Sequence, residues 1–318
     1  MTRAIADCAL RTAEPAERLI LSEDALLSIQ EEEEDARLLA ANEEYEVDGR
    51  SCVDDDETTL WLKYTKWPVQ LANRPLDILS ASSLQPTASD DDYVLGDWAG
   101  TQFVSPAADE AKLRVLLQAT DQMFTRAEET LKQTHHRLRC WLQTYHLRHF
   151  RPVPFQPLQT DAGRTRYIAT WKRFICYIFR VWATAKPLRQ EIYGIRFREQ
   201  EAALMESVWE GLLNNNDAHQ GEPDKAEPNS GSDPRPRLTE ALFQVSMTFW
   251  TFRSTTGNLA PSVLVHFTSV LGVHRRALAY KSAYSYTPML SALIWVSRLL
   301  FFEYALPLRA YSILYRDG

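Results

Sequence analysis

"RYIATWKRFICYIFRVW", Arg166 to Trp182, is the stretch on which the reading of the fold turns. Tyr167, Ile168, Trp171, Phe174, Ile175, Ile178, Phe179 and Trp182 fall on one face of a helix at about 100° per residue. No glycine or proline interrupts them. Arg166, Arg173 and Arg180 stand opposite, and Lys172 lies at the edge. The spacing predicts a helix buried along one side and cationic along the other.

The flanking segments repeat the pattern. From Lys112 to Tyr145, Leu113, Leu117, Thr120, Phe124, Ala127, Leu131, Thr134, Leu138, Trp141 and Tyr145 form a heptad-like stripe, which predicts one long bundle helix. Leu238, Leu242, Val245, Phe249 and Phe252 give another helical face. Pro261 suits the first turn of a helix through Leu271, ended by Gly272. Pro288 suits the start of a last helix, "MLSALIWVSRLLFFEYALPL", Met289 to Leu308. Arg298 and Glu303 interrupt that run, and burying both in lipid is costly, so a core helix is expected rather than a membrane span. Glycine is scarce, at 11 residues, and no strong hairpin signal is evident. The expected fold is mainly α, with two packed helical blocks and an acidic, disordered N-terminal arm.

Charge divides the 318 residues unevenly. Residues 1–110 hold 8 basic and 25 acidic residues, whereas 131–200 hold 14 basic and 3 acidic ones, inside an overall net charge of −7. Residues 1–57, with "EEEED" and "DDDE", read as a solvated arm that keeps the chain soluble or competes with a polyanion for the basic body. Residues 58–105 read as a Trp-anchored opening segment and loop, and 106–213 as a basic helical block. The run "NNNDAHQGEPDKAEPNSGSDPRP", residues 214–236, reads as a flexible linker, and 237–318 as a C-terminal helical block. The acidic triplet Asp90 to Asp92 reads as a solvated loop. Cys8, Cys52, Cys140 and Cys176 are widely spaced, which favours a reduced, intracellular chain, and nothing near Met1 has signal-peptide character.

Catalytic motifs are sparse. No phosphate-binding P-loop, zinc-protease, lipase-type or dinucleotide-binding pattern is present. Cys140, His146 and His149 are too irregularly spaced for structural zinc, with or without His135 or His136. His136 and Arg139 make an H-x-x-R, the pair tyrosine recombinases use against phosphate, with Arg114 as a further cation and Tyr167 or Tyr177 as nucleophile. The pair sits within the long helix and Leu138 lies on its core stripe, so no catalytic residue, metal or cofactor is assigned.

"WLKYTKWP", with Trp61, Thr65, Trp67 and Pro68, follows the acidic arm. It resembles an element of fungal proteins related to telomere-linked RecQ-like helicase reading frames and Crypton-type mobile elements, and to orsellinic acid cluster protein D. "LRCWLQT", "YIATWKRFICYIFRVW", "EIYGIRF" and the segment Leu264 to Pro307 extend the resemblance in order across 58–318. The chain lacks the helicase motor and the upstream Cys/His fingers of longer members. The resemblance implies a DNA-associated context rather than a reaction. Trp61 and Trp67 are expected to anchor the start of the fold on the body.

The resulting expectation is a non-enzymatic DNA-associated protein of nuclear location. Arg166, Lys172, Arg173, Arg180, Arg196 and Arg198 would contact phosphates without regard to sequence, with Arg189 extending the surface. The alternative is an accessory protein of a fungal secondary-metabolite cluster with no nucleic-acid role, meeting a protein partner through its acidic arm. No small-molecule substrate is evident.

Overall fold

The computed structural model describes residues 60–89, 91–143, 152–217, 234–251, 262–275 and 277–305. The acidic arm 1–57, the centre of the linker, Phe252, Pro261, His146 and His149 lie outside them. The elements in chain order are α1 (Leu60–Thr65), α2 (Trp67–Gln70), α3 (Leu76–Ser82), β1 (Tyr93–Trp98), β2 (Thr101–Ser105), α4 (Ala107–Gln133) and α5 (His136–Gln143). They continue with α6 (Asp161–Ala183), α7 (Lys186–Ile192), α8 (Glu199–Asp217), α9 (Pro234–Trp250), α10 (Val263–Leu271) and α11 (Ala283–Ala305). The fold is mainly α.

Helix α6, which contains the opening stretch, is the axis of the bundle. It packs against α4 and α11 on its flanks and touches α3 and α10. Its apolar stripe is buried as the periodicity predicts, but burial continues round the helix: every residue from Phe174 to Val181 is inside. A helix with neighbours on several sides has no broad solvent face, whatever its sequence pattern. Trp171 stacks on Trp250 of α9 at 5.3 Å, and Phe174 meets Phe267 of α10 at 5.2 Å. Helix α9 also packs on α4 and α8, so the two helical blocks share one hydrophobic cluster running from Leu62 to Phe302.

Helix α11 is long and apolar enough to cross a membrane, yet Leu293, Val296, Leu299 and Leu300 are buried in the core. Its two charges are satisfied within the protein. Glu303 pairs with Arg126 at 2.6 Å and accepts from Thr130 Oγ1 at 2.6 Å, and Arg298 donates to Gln143 Oε1 at 2.9 Å. The helix begins at Ala283, so Pro288 lies inside it rather than at its start. Helix α10 is better delimited: Ser262 caps it through the Val265 N–H at 3.4 Å, and Gly272 ends it.

The predicted Lys112–Tyr145 helix is two helices. Thr134 has extended backbone, and its hydroxyl donates to the Thr130 carbonyl at 2.6 Å, which closes α4. His135 then caps α5, its Nδ1 accepting from the Arg137 N–H at 3.2 Å. Trp141 consequently leaves the core stripe and is 48% exposed. At the other end, Asp92 of the acidic triplet accepts from the Ala107 N–H at 2.8 Å, so one of the loop carboxylates starts α4.

Trp67 anchors the opening segment. It is buried, meets Tyr286 edge-on at 4.5 Å, and lies so close under Gly272 that a Cβ there would sit 3.1 Å from its ring. Pro68 lies in the first turn of α2, and the chain breaks just before it, at Lys66 with φ 58°. The Trp61 side chain lies outside the described residues.

The sequence reading misses the β1–β2 hairpin. It turns through Ala99 and Gly100, with φ of 52° and 79°, the conformation that hairpins normally fill with Asn-Gly. Alanine carries a Cβ penalty in that region, and asparagine tolerates it. Ala99→Asn is therefore expected to stabilise the protein by about 1 kcal/mol. A rise in the urea midpoint at unchanged slope would show it; an unchanged midpoint would mean that this turn is not strained.

Candidate nucleic-acid interface

The six predicted phosphate ligands meet different fates. Arg180 is inside the protein, not on an outer stripe. Its Nε and Nη2 donate to the two oxygens of buried Glu110 on α4 at 2.8 and 2.6 Å, and its Nη1 donates to the carbonyls of Ser82, at 3.0 Å, and Leu84 at the end of α3. Its guanidinium also lies 4.7 Å from the Tyr93 ring of β1. Burial opposes the charge, but the Glu110 hydrogen bonds outweigh it and the pKa is raised. An arginine committed to three neighbouring elements cannot reach a phosphate, and the reading of Arg180 as a phosphate ligand is corrected on that ground.

Lys172 and Arg198 are neutralised locally. Lys172 pairs with Asp121 of α4 at 2.7 Å, and Arg198 pairs with buried Glu201 one turn along at 2.7 Å. Arg196 is exposed and its Nε donates to Gln190 Oε1 at 2.8 Å. Arg166 is half-buried beside the Tyr167 ring, at 5.8 Å. Arg173 is enclosed against the end of α3, where its Nη2 donates to Ser83 Oγ at 2.9 Å. Arg189 is buried between the rings of Trp182 and Phe197, at 5.0 and 5.2 Å, and does not extend the surface. The stripe therefore does not exist as a continuous outer face.

The recombinase constellation is not assembled either. Arg114 holds the loop before β1, donating to the Thr87 and Ser89 carbonyls at 3.0 and 2.9 Å. His136 opens α5, past the far end of α4, which puts it about 30 Å from Arg114 at helical rise. Arg139 is turned to the Phe155 carbonyl at 2.8 Å. Tyr167 and Tyr177 are both buried. Tyr177 shares a hydrogen bond with His266 Nδ1 at 3.0 Å, and burial pushes its pKa well up.

A second cationic surface lies on α5. Thr130 to Thr160 contains no Asp or Glu, but it holds Lys132, Arg137, Arg139, Arg148 and Arg151 together with four of the seven histidines. In its described part Lys132, His135, His136, Arg137 and Trp141 are all exposed. The residues 152–160 run back along α5, the Phe155 N–H donating to the Arg139 carbonyl at 3.0 Å. Phe155 and Tyr167 both pack on Trp295, at 5.9 Å each, which brings α5 and the start of α6 with Arg166 to the same end of the bundle. This end offers cations around an exposed indole, the combination that grips phosphates and stacks on bases. The absence of acidic residues over this run is the signal in the sequence that marks it.

Comparison with protein-family models, with curated proteins and with solved structures finds no match.

Proposed function

We propose that the protein is a non-enzymatic, DNA-associated helical protein that binds phosphates through the α5 end of its bundle. The observation that supports the reading is the acid-free run from Thr130 to Thr160, whose described part exposes Lys132, His135, His136, Arg137 and Trp141 together. Of the cations expected from the sequence, Arg166 joins this end, while Lys172, Arg180 and Arg198 are held by carboxylates. Binding is indifferent to sequence and falls steeply with salt. The ordered resemblance to fungal mobile-element proteins is the ground for proposing that lineage and a nuclear location. The acidic arm competes with the polyanion for the same surface.

The charge reversals Lys132→Glu and Arg137→Glu, made together on exposed positions, are expected to weaken duplex DNA binding at least tenfold and to flatten its salt dependence. The measurement is a titration of full-length protein against labelled duplex at low and at physiological salt. A full-length protein that binds no DNA at low salt, or a double variant that binds as the parent does, leaves the accessory-protein reading in its place. That reading is favoured by the net charge of −7.

A further inference from the structure

Between α10 and α11 the chain makes a short finger. Its two sides pair antiparallel: the Lys281 N–H donates to the Gly272 carbonyl at 2.8 Å, Val273 faces Tyr280, and the His274 N–H donates to the Ala279 carbonyl at 2.6 Å. The Leu278 N–H donates to the His274 carbonyl at 2.8 Å and closes the tip. The base is fixed to the core. Val273 is buried, Gly272 lies against the Trp67 ring, and the Tyr286 hydroxyl donates to the Thr268 carbonyl of α10 at 2.8 Å. A tip on so firm a base holds its side chains out toward solvent in a fixed arrangement.

The tip reads Arg275-Arg276-Ala277-Leu278, and Arg275, Ala277 and Leu278 are exposed. Leu278 has φ 50°, a conformation that asparagine or glycine fills cheaply and a leucine does not. Its side chain is 40% exposed, so the core gains little from it. Folding alone therefore gives no reason for a leucine at this turn. Two more exposed apolar side chains flank the finger: Tyr284 in the first turn of α11, and Val69 of α2, two residues past the Trp67 that packs on its base. Lys66, also exposed, stands beside Val69 in the chain. The sequence from Ala241 to Phe302 contains no Asp or Glu. Apolar tips among cations, on a stretch without acids, complement an anionic lipid surface, which takes up aliphatic and tyrosine side chains at the depth where its phosphates meet arginine and lysine. A wedge into a duplex needs one apolar side chain at one base step, whereas three segments contribute here. We propose that the α10–α11 finger docks the protein on an anionic bilayer, with Leu278 entering the interface, Tyr284 and Val69 resting on it, and Arg275 and Lys66 meeting the headgroups. The surface lies at the start of α11 and not at the α5 end, so it stands independently of DNA binding by α5.

The test is co-flotation of full-length protein with vesicles of phosphatidylcholine, with and without phosphatidylserine, at low salt. The parent is expected to float with the phosphatidylserine vesicles and to stay behind with phosphatidylcholine alone. Leu278→Asn is expected to bind the phosphatidylserine vesicles about fivefold more weakly, since it removes the apolar tip. Because asparagine tolerates the left-handed turn, this variant is expected to melt no earlier than the parent, which separates lost docking from lost folding. Arg275→Gln is expected to weaken vesicle binding about fivefold as well. Both variants are expected to bind duplex DNA as the parent does, and the Lys132→Glu, Arg137→Glu variant to float as the parent does. A parent that floats with neither vesicle, or with both alike, overturns the proposal. A Leu278→Asn variant that floats like the parent overturns it, as does one that melts early, since the leucine would then serve the fold. Finger variants that lose duplex binding overturn it too and give the tip to a DNA groove.

Discussion

Arg180→Met is expected to destabilise the protein by about 3–5 kcal/mol, because it strands a buried carboxylate. Methionine fills much of the arginine volume, so the loss is electrostatic rather than a cavity. It leaves the Glu110 carboxylate, 3% exposed on its side chain, with neither of its two guanidinium hydrogen bonds. It also strips a donor from the carbonyls of Ser82 and Leu84, at the end of α3 and just beyond it. Glu110→Gln is expected to cost less, because a neutral amide keeps one acceptor oxygen for Arg180. The double variant Arg180→Met, Glu110→Met separates the components. Removing both charges is expected to recover most of the loss, since a buried ion pair contributes little net stability compared with an apolar pair of similar volume. Urea unfolding of the parent, Arg180→Met, Glu110→Met and the double variant gives the coupling directly. Additive single losses, with no recovery in the double variant, would show that Glu110 and Arg180 do not depend on one another.

The same pair shows where sequence reading stops. The stripe from Tyr167 to Phe179 is legible because helical periodicity reports which residues share a face. It does not report how many other helices surround the remaining faces. Arg180 looks like the outer face of an amphipathic helix because its counter-charge, Glu110, lies 70 positions away on α4. Lys172 looks free for the same reason, with Asp121 51 positions away. Arg198 is a different case: Glu201 follows at helical spacing, and that pair is readable locally. The end of α10 is readable at Gly272, whereas its start is set by Ser262, which the reading from Pro261 passes over. The hairpin was hidden by Ala99, which occupies a position that asparagine normally marks. The division of α4 from α5 rests on one threonine hydroxyl turned onto its own helix, a choice of hydrogen bond that propensity does not resolve. The α5 surface is visible in the sequence as an absence of Asp and Glu, but a composition gap gives no direction in space. The fold around Trp295 supplies it.

His266 is expected to make stability depend on pH in the weakly acidic range. It is buried in α10, where its Nδ1 shares a hydrogen bond with the Tyr177 hydroxyl at 3.0 Å. Burial above all, and then the charge of Arg74, hold its pKa down to about 4, against 6.5 in an unfolded chain. Arg74 is itself fixed nearby, donating to the Gln190 carbonyl at 3.1 Å where α7 ends. Above pH 6.5 the imidazole is neutral in both states, and the Tyr177–His266 hydrogen bond is at full strength. As pH falls below 6.5 the unfolded chain takes up a proton that the folded protein refuses, so stability declines until about pH 4, where the folded protein takes it too. The depressed pKa corresponds to about 3 kcal/mol lost across that window. His266→Gln keeps an acceptor and a donor but cannot be protonated. Its stability is expected to be lower than the parent's at pH 7 and to fall less between pH 6.5 and 4, so that the two curves converge on acidification. Carboxylates elsewhere titrate alike in both proteins and cancel in the difference. Urea midpoints measured at half-unit steps of pH decide the matter: parallel curves would place the acid sensitivity of this fold somewhere other than the ring on α10.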